Sequence, residues 1–157
     1  MRLFLFAIAF STCVSTPARA GWEWTNWGMT QHAARLAAPA GTGRVDEPVA
    51  GSSLTMLLAV DVEASGIDFQ ARLGFSEFGE LGLVELRPSD EVRDCDAASD
   101  ALLQQHGAPV SRRSSPSQRW LWADAERDTL VEFSRGDDGS CLIRLTPLPR
   151  RNPYLRG

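Results

Sequence analysis

From Leu54 onward the apolar residues recur at every second position. Leu54, Met56, Leu58, Val60 and Val62 alternate with Thr55, Leu57, Ala59, Asp61 and Glu63, and after Ala64-Ser65-Gly66 the alternation resumes through Ile67, Phe69, Ala71, Leu73 and Phe75. A side-chain period of two belongs to a strand with one wet face, so this stretch predicts an antiparallel hairpin. A third strand over 80–87 follows a turn at Phe78-Gly79. Its apolar phase slips from Leu81 and Leu83 to Val84 and Leu86, which places a bulge near Gly82.

Two helices and a second set of strands follow from different signals. Thr30 caps a short helix that Pro39 stops, and the Gly-, Pro- and Ser-rich stretch 40–53 reads as a mobile loop. Pro88-Ser89-Asp90 opens a second helix with Cys95, Ala98, Leu102 and Leu103 as its buried stripe, closed by Gly107 and Pro109. A polar loop through Ser117 then leads to strands over 118–123, 129–135 and 140–146. The expected fold is an α+β two-layer sandwich: a six-stranded antiparallel sheet with two helices on one face, built from a duplicated helix-plus-three-strand unit. The units are 27–88 and 89–147, with an irregular tail at 148–157, inside a single α+β domain over 21–157.

The amino end reads as an address. Met1-Arg2, the apolar run from Leu3 to Phe10, and Ala18-Arg19-Ala20 before Gly21 compose a signal peptide over 1–20, with cleavage between Ala20 and Gly21. The competing reading is a buried N-terminal helix. Cys13 raises lipid attachment as a further alternative, but Phe10-Ser11-Thr12 lacks the Leu and small residues of a lipobox. No later run approaches the roughly 20 apolar residues of a membrane helix, so the mature chain carries no transmembrane segment and the expected location is periplasmic or secreted.

Cleavage leaves 14 basic residues, all Arg, against 20 acidic ones, a net charge of −6. An acidic chain without a clustered basic surface excludes nucleic acid as a partner. The total absence of Lys removes Schiff-base and P-loop lysine chemistry. Cleavage also removes Cys13 and leaves Cys95 and Cys141 in a compartment that permits disulfides. A bridge would close a loop of about 47 residues, worth on the order of 4 kcal/mol in the chain-entropy model. Two buried thiols are the alternative.

The stretch Trp27-Gly28-Met29-Thr30 entering a helix, the Phe-rich hairpin ending Gly79-Glu80-Leu81, and the helix ending His106-Gly107-Ala108-Pro109 before a Trp-bearing strand resemble small secreted bacterial proteins. These include the small lipoprotein of the outer-membrane assembly machine (SmpA/OmlA), the β-lactamase inhibitor protein and uncharacterised periplasmic proteins. The resemblance implies tandem helix-plus-sheet units and a binding or envelope role.

Candidate chemistry is sparse. His32 reads as a surface residue, and His106, in a last helical turn, as an imidazolium at the negative end of the helix dipole. The acids around Asp90, Glu91 and Asp94 read as helix-start charges, and Asp137-Asp138-Gly139 as a turn, so neither metal nor cofactor is expected. Trp120 and Trp122 share a strand face and read as core, whereas Trp22 and Trp24 either pack over a sheet edge or bind. Leu121, Leu130 and Leu142 beside Arg119, Glu132 and Arg144 suggest a binding patch with an apolar centre and a charged rim.

The expected function is therefore non-enzymatic: a secreted or periplasmic binding or envelope-associated protein acting on a cell-envelope protein partner through an open sheet face. An inhibitor or immunity-type partner of an extracytoplasmic hydrolase is the alternative. A concave pocket collecting His106, acids and Arg would instead point toward catalysis, and a flat apolar patch toward association.

Overall fold

The computed structural model describes residues 22, 24–90, 93–114 and 117–149. The signal segment, its Ala20/Gly21 cleavage point, Cys13 and most of the carboxy-terminal tail lie outside the described residues. Strands β1 (Gly43–Pro48), β2 (Thr55–Ala64), β3 (Ile67–Phe75) and β4 (Leu81–Pro88) follow helix α1 (Gln31–Ala37). Strands β5 (Ser111–Arg113), β6 (Gln118–Asp124), β7 (Thr129–Arg135) and β8 (Cys141–Pro147) follow helix α2 (Asp94–His106). All eight join in one antiparallel sheet, ordered β1-β2-β3-β4-β8-β7-β6-β5.

This corrects the six-stranded sheet of duplicated helix-plus-three-strand units. Each helix is followed by four strands, and the additional two, β1 and β5, are the edges of the sheet. β1 lies in the stretch read as a loop, and β5 in the polar connection after α2. Both are largely or wholly exposed, so neither carries the alternation that half-burial imposes. The unequal helices, 7 and 13 residues, also break the expected repeat.

Local chemistry sets the elements. The Thr30 hydroxyl accepts from the Ala33 amide at 3.2 Å and starts α1. Ser65 and Gly66, both at positive φ, form the two-residue turn between β2 and β3. Opposite β3, the register steps from Gly74–Leu83 to Phe75–Leu81, so Gly82 is the extra residue of a bulge. A second step, between Met56 and Leu58, was hidden in the sequence: it turns Met56 to the opposite face from Leu58, beside Gly74 and Leu83.

The main core lies on one side of the sheet. Phe69, Leu73, Phe75, Val84, Trp122, Phe133 and Ile143 are buried there with Ala34 of α1 and Cys95, Ala98 and Leu102 of α2. Cys95 and Cys141 are joined, with Sγ atoms 1.99 Å apart, linking the first turn of α2 to β8. At the other end of α2, Gly107 takes φ 72° and its amide donates to the Leu103 carbonyl, while its own carbonyl accepts from Trp122 Nε1 at 2.9 Å.

Candidate functional site

Helix α2 is held at both ends but does not close the sheet beneath its C-terminal half. A cleft of about 440 Å³ remains there, between Ala98, Ala101, Leu102 and Gln105 of the helix and the inner face of the sheet. That volume falls within the roughly 300–1,000 Å³ of small-molecule sites. Its floor is apolar: Ile67, Phe69, Leu86, Val131, Ile143 and Leu145, each buried, come from β3, β4, β7 and β8. The small side chains of Ala98 and Ala101 keep the roof from filling the space.

One wall of the cleft is the β2–β3 turn with Glu63. The opposite wall is the β6–β7 turn with Asp124 and Arg127. Asp124 organises that turn: Oδ1 accepts from the Arg127 amide at 3.1 Å, and Oδ2 from Arg127 Nη1 at 3.2 Å. His106, at the end of α2, places Nδ1 3.9 Å from Asp124 Oδ2. Burial depresses the His106 pKa below its ordinary 6.5; Asp124 opposes the shift and Arg127 adds to it. Desolvation thus works against the imidazolium expected at the helix end.

The tryptophan-rich segment closes a further side. Trp22 lines the cleft, and its ring centroid lies 6.1 Å from that of Trp24. The chain then runs back along the start of β4, where Gly28 donates to the Leu81 carbonyl and Leu81 donates to the Met29 carbonyl. Trp27 Nε1 donates to Thr129 Oγ1 at 3.0 Å, and Thr129 in turn donates to the Arg127 carbonyl at 2.8 Å. Trp22, Trp24 and Trp27 all pack, half-buried, against the main core. Their position is over the inner face of the sheet.

The opposite face carries Leu121, Leu130, Leu142, Arg119 and Arg144 together, all on the side away from α2. Its arrangement inverts the expected one. A single row crosses seven strands as Ala59, Arg72, Glu85, Arg144, Glu132, Leu121 and Ser111, so charge runs through the middle. Leu130 and Leu142 flank Glu132 on its two sides, and all three leucines are half-buried. The charges are matched within the chain: Arg144 Nε donates to Glu85 at 2.8 Å, Arg119 Nη2 to Glu132 at 2.6 Å, and Arg72 pairs with Glu47. Glu85 is only 2% exposed, a burial that its guanidinium partners make tolerable.

The remaining sites of the sequence reading are structural. His32 is exposed. Asp138 accepts from the Ser140 hydroxyl at 2.7 Å and its amide at 3.0 Å; these bonds lower its pKa and fix the β7–β8 turn. Trp120 and Trp122 meet edge to face at 6.0 Å, with Trp122 in the core. Among the described residues no group of three metal-ligating side chains gathers, and no helix is long and apolar enough to cross a membrane. The sequence reading missed the roles of Asp124 and Arg127; both sit in the β6–β7 hairpin turn, and only the folding of the sheet brings that turn to His106.

No protein-family model matches the chain, and no curated protein matches it. Among solved structures it is similar to a DUF4309 family protein (YjgB) from Bacillus subtilis subsp. subtilis str. 168. The identity is 13%, the likeness covers 75% of this chain and 78% of that one, and the TM-score is 0.47.

Proposed function

We propose that this is a non-enzymatic binding protein of the periplasm or cell exterior, and that it binds in the cleft beneath α2. The observation that carries the reading is the combination of an open apolar floor with polar groups confined to the mouth. That division suits a ligand buried along its apolar length and oriented by one polar end. The Cys95–Cys141 bond supports an oxidising compartment. The cleft does collect His106, Asp124 and Arg127, the grouping named above as pointing toward catalysis; binding is favoured because His106 Nδ1 and Asp124 Oδ2 stand 3.9 Å apart, beyond the short hydrogen bond with which a carboxylate orients a catalytic imidazole. The cleft displaces the open sheet face as the working surface, because the charges of that face are already neutralised by one another.

The test is binding of the uncharged fluorescent probe N-phenylnaphthylamine to the purified mature chain. Saturable enhancement is expected, lost in Ala101→Trp, which fills the cleft, and retained in Leu142→Asp on the opposite face. An unchanged unfolding midpoint in Ala101→Trp shows that filling rather than unfolding removed the site. Probe binding that survives Ala101→Trp and is lost in Leu142→Asp moves the function back to the open face, where a protein partner or an inhibited hydrolase becomes the better reading.

A further inference from the structure

Resting on the cleft as the binding site, we infer that its ligand is an anionic amphiphile, a single aliphatic chain ending in a carboxylate that the Arg127 guanidinium receives. The floor selects the chain, being apolar and buried from Ile67 and Phe69 across to Ile143 and Leu145. The mouth selects the head through the donors that Arg127 has left. Its Nη1 donates to Asp124 Oδ2 at 3.2 Å, and among the described residues no acceptor engages Nε or Nη2. Those two nitrogens form one edge of the planar guanidinium, the edge whose paired N–H groups match the two oxygens of a carboxylate. The side chain borders the cleft and is 48% exposed, so a ligand reaches it without displacing Asp124.

The carboxylates around the cleft are closed or turned away. Asp124 is satisfied within its own turn: Oδ1 accepts from the Arg127 amide, Oδ2 from the guanidinium, and its side chain is 13% exposed. Val62 pairs with Phe69 and Ala64 with Ile67, both floor residues, so the Glu63 side chain between them projects to the outer face of the sheet. Glu126 and Asp128 flank Arg127 in the turn, and neither lines the cleft. The residues that α2 contributes to the lining, Ala98, Ala101, Leu102, Gln105 and His106, include no acid. An ammonium head therefore meets a guanidinium with no open carboxylate beside it. An uncharged hydroxyl of equal chain length gains the floor without the charge-assisted pair and stands between the two.

The experiment is displacement of bound N-phenylnaphthylamine from the purified mature chain by dodecanoate, dodecanol and dodecylamine, each below its aggregation limit at pH 7.5. Dodecanoate is expected to compete about fivefold more tightly than dodecanol, and dodecylamine more weakly than either. Arg127→Gln should remove the advantage of dodecanoate while leaving dodecanol unchanged, because the apolar floor is untouched. Asp124→Asn, which frees Nη1 and removes the neighbouring negative charge, should tighten dodecanoate severalfold, with dodecanol again unchanged. Dodecanol or dodecylamine competing as well as dodecanoate, an Arg127→Gln effect equal for acid and alcohol, or no displacement by any of the three overturns the assignment while leaving the cleft as a probe site. A probe that does not bind at all overturns the cleft reading itself, and the ligand class with it.

Discussion

At the scale of single residues, His106 shows how burial decides protonation. The end of a helix favours an imidazolium, and Asp124 favours it further, but desolvation is the largest influence and lowers the pKa. A histidine whose folded pKa lies below its unfolded one binds fewer protons when folded. Its contribution to stability is complete above pH 6.5 and is lost as pH falls from there through the folded value. Urea unfolding at stepped pH should therefore show stability falling on acidification through this window. His106→Asn should flatten that part of the curve; an equally steep curve in the variant would assign the slope elsewhere.

At the scale of elements, α2 defines the site by being fixed at its ends and open between them. Cys95–Cys141 ties its first turn to β8, and the Trp122 indole donates to the carbonyl of Gly107, which caps its end. Replacing both cysteines by Ala should lower stability by about 2–5 kcal/mol, read from the urea midpoint, and should weaken probe binding because the cleft loses its fixed roof. Probe affinity unchanged by the double substitution would show that the bond shapes nothing in the cleft. Elements were legible in the sequence where half-burial wrote a period: β2 and β3 through Val60 and Phe69, β6 through Trp120 and Trp122, α2 through Cys95, Ala98 and Leu102. The edges β1 and β5 left no such trace, since Arg44, Glu47, Arg112 and Arg113 face water on most sides and pair with one neighbour only. The step at Leu57 was equally silent, because Met56 is apolar and buried although it faces away from Leu58, so the alternation reads on unbroken.

At the scale of the whole molecule, the two sides of the sheet do different work. The outer side closes its charges on itself in a row from Arg72 to Glu132, while the inner side leaves apolar surface beneath a helix too narrow to cover it. The sequence announced that the sheet would have a wet side, through Arg119, Leu121 and Arg144, but not that the recess would lie on the dry side. Alternation tells which residues share a face and nothing about how completely a helix covers it. The β2–β3 and β6–β7 turns, about 60 positions apart in the chain, come to border one cleft only after the sheet has assembled. Titrating isotope-labelled protein with N-phenylnaphthylamine, and following every backbone amide and indole signal by NMR, puts the two sides in direct competition. The account predicts shifts confined to Trp22, Ala101, Gln105, His106 and the turns bearing Glu63 and Arg127, with Leu130, Leu142 and Arg144 unmoved; shifts along Leu121, Leu130 and Leu142 with a silent α2 would contradict it.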